Sequence, residues 1–271
     1  MKILTVLSSN AGRSIGDVFL ALYSTIHLVN KTEPVAFLTH SNHSEIASFF
    51  RESLDLILLS DAADQHARLL DTVNIHWSPG PWEERLPHIE NPWRYFVMNS
   101  ISPGSSKFVV PKAAARVGGG SIVIFPERSD NCRLNDALFG DFVRSGIEQG
   151  YTVYTNCYFN SNYTTSPALP DTTALVQLSL AEIIAIASDP TNILIGTRSG
   201  VFDVLYFVMP EVAARLIVLY PPEPAWLWDT ARFRNDHARS EFPQFYFDRQ
   251  KVLEIRTRDF NGGTLSLALR E

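Results

Sequence analysis

The amino-acid sequence predicts an α/β fold built as two halves, each a parallel sheet covered by helices, facing a central cleft. Three observations lead there. Apolar runs of strand length alternate with helix-length segments of mixed polarity along most of the 271 residues, the form taken by parallel strands joined through crossover helices. The alternation breaks once, across a Pro- and Trp-rich stretch that ends at three consecutive glycines, Gly118 to Gly120, and then restarts. A hydrophobic content of 45% supplies apolar material for one large core or two small ones.

The elements follow in order. "KILTVLS" reads as the first strand, and "SIGDVFLALYSTIHLVN" as a largely buried helix carrying Val18, Leu20, Leu22, Ile26 and Val29. "PVAFLTH" is a strand, "HSEIASFFRES" a helix, "LDLILLS" a strand and "DAADQHARLLDTV" a helix. From Trp77 to Lys112 the pattern blurs, and the Pro- and Trp-rich composition suggests an ordered irregular segment, a lid or a packed connection. The composition shift places the domain boundary near residues 112 to 120, giving domains 1–115 and 116–221. In the second half "SIVIFPE" is a strand, and "NDALFGDFVRSGIEQG" a helix with Gly150 as its C-terminal stop. "YTVYTNC" is a strand, and "SLAEIIAIAS" a helix in which Ser179 and Glu182 have capping-box spacing. "NILIGTRSGVFDVLYFV" is a strand running into a helix, and "ARLIVLYPP" another strand. Residues 222–271 are expected to form an aromatic, Pro-rich extension packing on the domains, with "KVLEIRTRDF" as a short strand. The order of elements makes both halves Rossmann-like.

Bulk properties narrow the function. A net charge of −6 argues against a broad nucleic-acid surface, so any anion site is local. Cys132 and Cys157 have no zinc-type spacing, and the seven histidines show none beyond the pair His40 and His43. The opening "MKILTVLSSN" is too short for a signal-peptide core, and no apolar run reaches the length of a membrane span. These readings point to a cytoplasmic protein with at most peripheral membrane association, and leave an oligomer open.

Three stretches carry candidate chemistry. In open α/β sheets ligands sit beyond the carboxyl ends of the strands, which is where "TRSG" follows "NILIG". The first N–H groups of a helix lack intrahelical partners and have the positive end of the dipole behind them. Gly200 lets an anion approach the backbone, Ser199 adds a hydroxyl and Arg198 a forked cation. Together they suggest a phosphate or pyrophosphate cradle; as structure alone, they read as an N-cap, a packing glycine and a surface charge. Asp203, one turn further, either holds Arg198, binds a sugar hydroxyl or favours the helix start electrostatically. "FPERSDN", after the strand "SIVIF", offers Arg128 beside Glu127, Ser129 and Asn131. "GRSIGD" turns from the first strand into its helix, where Asp17 is either a first-turn acid or a general base.

With those residues in place the chain resembles the GT-B glycosyltransferases, nearest in layout to the heptosyltransferase-like group. That group opens with strand, turn, "GD" and an apolar helix, as "SIGDVFLALYSTIHLV" does, and ends with a strand entering a Ser/Thr-Gly helix start, as "ILIGTRSGVFDVLYFV" does. Heptosyltransferases usually carry Asp before the Ser/Thr-Gly and His three residues after the Gly; here the residues are Arg198 and Asp203. The arginine is closer to uncharacterised bacterial capsule and O-antigen proteins and to the fucosyltransferase-like branch, where an arginine on this rim binds the donor diphosphate. The resemblance implies a metal-independent glycosyltransferase with no cofactor, using a nucleotide-sugar donor and a glycan or other cell-surface acceptor. It implies donor contacts from Arg128, Arg198, Ser199, Gly200 and Asp203, and Asp17 as the catalytic base. Two other readings stand beside it: a non-catalytic GT-B-like protein that holds a nucleotide or glycan for another transferase, and a sugar-nucleotide epimerase.

Overall fold

The central strands of the second unit form where short runs of Leu, Ile and Val, as in SIVIF and RLIVLY, leave no polar face, the pattern of parallel strands covered on both sides. In a computed structural model the chain divides into two units, Met1–Pro111 and Lys112–Glu271. The structure describes residues 2–5, 19, 35–38, 44–50, 56–59, 72–73, 109, 112–125, 136–156, 174–197, 199–208, 212–220, 251–256 and 269.

In the first unit β1 (Lys2–Thr5), β2 (Val35–Leu38), β3 (Leu56–Leu59) and β4 (Thr72–Val73) form one sheet. Its order is β3-β2-β1-β4, and every pairing is parallel. Thr72 and Val73, expected at the end of a helix, instead pair with Ile3 and Leu4. Both are β-branched, and a ladder beside β1 suits their stiff side chains better than a helical turn does. Helix α1 (Ser44–Ser48) leads into Phe49 and Phe50, both fully buried. The Phe19 ring meets them at centroid distances of 5.9 and 5.2 Å, edge-on to the first and tilted to the second, the geometry aromatic quadrupoles favour.

The second unit holds β5 (Ser121–Phe125), α2 (Asp136–Glu148), β6 (Thr152–Asn156), β7 (Ala174–Val176) and α3 (Leu180–Ala187). After them come β8 (Ile193–Thr197), α4 (Gly200–Phe207), β9 (Arg215–Tyr220) and β10 (Val252–Arg256). The sheet is wholly parallel in the order β10-β9-β8-β5-β6-β7. The chain thus moves one way from β5 to β7, then crosses back and moves the other way from β8 to β10. Right-handed crossovers then place α2 and α4 on opposite faces, and the packing agrees. On one face Gly146 of α2 lies so close that an added Cβ would stand 2.6 Å from Ile122 Cδ1. The core there joins Ile122, Ile124, Val153, Ile193, Ile195, Ile217, Leu219 and Ile255 to Phe142, Val143 and Leu269. On the other face Phe202 of α4 meets Phe125 edge-on at 5.7 Å.

Helix ends form as their residues dictate. Gly150 adopts φ 90° after α2; its N–H donates to the Ile147 carbonyl and that of Tyr151 to the Gly146 carbonyl, the paired bonds of a Schellman stop. At α3 the Ser179 hydroxyl accepts from the Glu182 N–H at 3.2 Å, while the Ser179 N–H donates to Glu182 Oε2 at 2.8 Å. Arg116 Nε reaches Glu182 Oε1 at 2.5 Å. Burial pushes this carboxyl up, but the Ser179 bonds and the Arg116 charge outweigh it and hold the group below its ordinary value.

One buried amide ties the amino ends of the central strands together. Asn192 Oδ1 accepts from the Ser121 N–H at 3.0 Å, and its Nδ2 donates to the Ile186 carbonyl at 3.1 Å. Its own carbonyl accepts from the Arg215 N–H. Next to it the Thr191 hydroxyl accepts from the Gly120 N–H and donates to Asp189. Those bonds from Thr191 lower the Asp189 carboxyl below its ordinary value.

Candidate functional site at the switch point of the second sheet

The strand order reverses between β5 and β8, which are direct neighbours with Ile122 opposite Ile193 and Phe125 opposite Gly196. A crevice outside the carboxyl ends of the strands opens at such a reversal, because the two following connections leave toward opposite faces. β5 ends at Phe125, and Arg128 follows three residues later; β8 ends at Thr197, and Arg198, Ser199 and Gly200 follow at once. The two arginine-bearing stretches singled out in the sequence therefore leave adjacent strands at the one point of the sheet best suited to a ligand.

Ser199 occupies the N-cap of α4 with extended backbone, φ −148° and ψ 171°, and Gly200 is the first helical residue. An N-cap serine ordinarily turns its hydroxyl onto the second or third amide of its helix. Here it does not: no side-chain bond caps α4, and the Ser199 Oγ is buried without a hydrogen-bond partner. Leaving a hydroxyl out of water and unbonded carries a cost of about 1–3 kcal/mol. The first amides of α4 also have no intrahelical acceptor. An anion seated on this helix start would satisfy both sets of donors.

Compared with solved structures, the chain is similar to E. coli ADP-heptose LPS heptosyltransferase II, with a TM-score of 0.58 and 11% identity over 99% of this chain and 97% of that one. The fold is GT-B-like. A second likeness, to E. coli heptosyltransferase WaaC with ADP, has a TM-score of 0.51 and 11% identity, covering 98% of this chain and 96% of that one. No protein-family model and no curated protein matches the sequence.

Within this GT-B-like frame the sequence-derived site residues fall as follows. Ser199 and Gly200 stand together at the start of α4, and Asp203 is the fourth residue of that helix. Arg198, Arg128 and Asp17 lie outside the described residues, as do Cys132, Cys157 and the aromatic stretch 226–247. Residues beyond 221 contribute β10, which pairs with β9 and forms one edge of the sheet. Among the described residues no group of three or more His, Cys, Asp or Glu side chains could hold a metal ion. Among the same residues no helix is long and apolar enough to cross a membrane. The residue that sequence reasoning passed over is Gly196, whose signal was a glycine inside an otherwise apolar strand.

Proposed function

We propose that the protein is a glycosyltransferase that moves a sugar from a nucleotide-sugar donor to a glycan or other cell-surface acceptor. The observation that carries this reading is the unpartnered Ser199 hydroxyl at the head of α4, beside the point where the strand order reverses. The GT-B-like fold, shared with two E. coli heptosyltransferases, supports it.

In this reading the donor diphosphate sits on the α4 amides, with Gly200 allowing close approach and Ser199 donating its hydroxyl. Arg198 and Arg128 supply positive charge, and Asp203 orients Arg198 or binds the donor. Asp17 accepts the proton of the acceptor hydroxyl as its oxygen attacks the anomeric carbon; the bond from that carbon to the diphosphate breaks, and the nucleoside diphosphate leaves. Protein groups alone meet the leaving charge, so a chelator leaves turnover unchanged.

The test is incubation with a panel of ADP-, GDP-, UDP- and CMP-sugars plus glycan acceptors, reading nucleotide release. Turnover supports the reading, whereas tight binding without release supports the non-catalytic binding protein instead. Arg198→Ala should weaken donor affinity about 10- to 100-fold, the worth of a charge-assisted forked bond. Unchanged affinity would remove Arg198 from the donor site, and full turnover in Asp17→Asn would remove Asp17 as the base.

A further inference from the structure

We propose that Gly196 is a positioning residue: it sets how closely the carboxyl end of β8 approaches that of β5, and so where the head of α4 stands at the switch point. The proposal rests on the donor-site reading above and adds a residue that touches no ligand.

The geometry is one-sided. A Cβ on Gly196 would stand 2.6 Å from the Phe125 carbonyl oxygen, 2.7 Å from Phe125 Cβ and 3.1 Å from Phe202 Cε2. Side chains in register on neighbouring strands ordinarily keep about the inter-strand spacing of ~4.8 Å. The last rung of the β5–β8 ladder, Phe125 opposite Gly196, is therefore closed further than any residue with a side chain would allow. Two of the three obstructing atoms cannot rotate away, since one is backbone and the other is fixed to it. Gly146 differs: the atom closest to an added Cβ is the far end of the flexible Ile122 side chain. Gly196 has no positive-φ requirement either, so close approach is what demands glycine.

The consequence falls on the α4 start. Ser199 is three residues beyond Gly196, and Phe202, on the first turn of α4, packs against both Phe125 and the Gly196 position. Any side chain at 196 forces the end of β8, the Phe202 ring or both outward, by a displacement on the order of 1 Å. Displacements of that size at a site built on directed donors can cost about 100-fold in function. The tight rung thus holds the Ser199 hydroxyl and the α4 amides against the carboxyl end of β5.

The experiment measures calorimetric affinity for ADP, GDP, UDP and CDP in the full chain, with thermal melting alongside. The variants are Gly196→Ala, Phe202→Leu and Asn192→Ala. Asn192 serves as the control because it acts at the opposite end of β8, so its loss lowers stability without moving the α4 start. The expected result is a tenfold or greater loss of affinity for the best nucleoside diphosphate in Gly196→Ala, a three- to tenfold loss in Phe202→Leu, and a change within twofold in Asn192→Ala. Should Gly196→Ala fail to fold, Phe202→Leu decides alone: unchanged affinity overturns the proposal. It is also overturned if Gly196→Ala binds within twofold of wild type, or if Asn192→Ala loses as much. A wild-type chain that binds none of the four overturns the donor-site reading itself, and the proposal with it.

Discussion

Replacing Asn192 by alanine removes one buried side chain that joins three elements, and the cost can be worked bond by bond. Asn192 is 1% exposed and the Ser121 residue it serves is 2% exposed, so water cannot readily take over. The Ser121 N–H loses its acceptor, which for a buried donor costs about 1–3 kcal/mol. The Ile186 carbonyl fares better, because the Asp189 N–H also donates to it; losing the second bond costs about 0.5–1.5 kcal/mol. The two together come to about 1.5–4.5 kcal/mol. Spread over a unit of this size, where 1 kcal/mol moves the midpoint by about 2–4 °C, Tm should fall by about 3–18 °C. The companion variant Thr191→Ala likewise deletes two side-chain bonds, but at an exposed site, and should cost under about 1 kcal/mol. Urea or thermal denaturation of the two side by side reads the difference. If Asn192→Ala costs less than about 1 kcal/mol, or no more than Thr191→Ala, the idea that this amide clasps the amino ends of β5 and β8 is wrong.

Thr155 is fully buried on β6 and its hydroxyl has no partner, so Thr155→Val, of nearly the same shape, should stabilise by about 1 kcal/mol, read as a higher midpoint in urea. Glu182 yields a pH dependence whose sign follows from its lowered folded value. The ionised carboxylate stabilises fully above its unfolded value, about pH 4, and that contribution is lost as pH falls through the folded value. Glu182→Gln should therefore be less stable than wild type at pH 7, with the gap narrowing below about pH 4; a gap of constant size from pH 7 to pH 3 would dismiss the role of the charge.

Local signals in this chain were legible because they depend on neighbours in sequence. The capping box of Ser179 and Glu182, the left-handed stop at Gly150 and the strand-to-helix turn at Ser199 and Gly200 each need only a few consecutive residues, and each stands where the spacing placed it. The alternation of apolar strands with helices likewise dictated parallel sheets, since only crossovers can join strands of one direction. Even so, the last turn of one expected helix became β4, because Thr72 and Val73 found a partner in β1 that no local pattern announces.

By itself, then, the sequence determined the fold class, the helix ends and which loops carry arginine, serine and glycine together. The tertiary structure alone decided that β5 and β8 are neighbours although 67 residues separate the end of β5 from the start of β8. Lateral strand order depends on which way each crossover turns, a choice settled by packing between distant segments and not by the residues of any one of them. The same packing closed the rung between Gly196 and Phe125 and left the Ser199 hydroxyl unbonded at the reversal of strand order, turning an ordinary N-cap position into the candidate donor site.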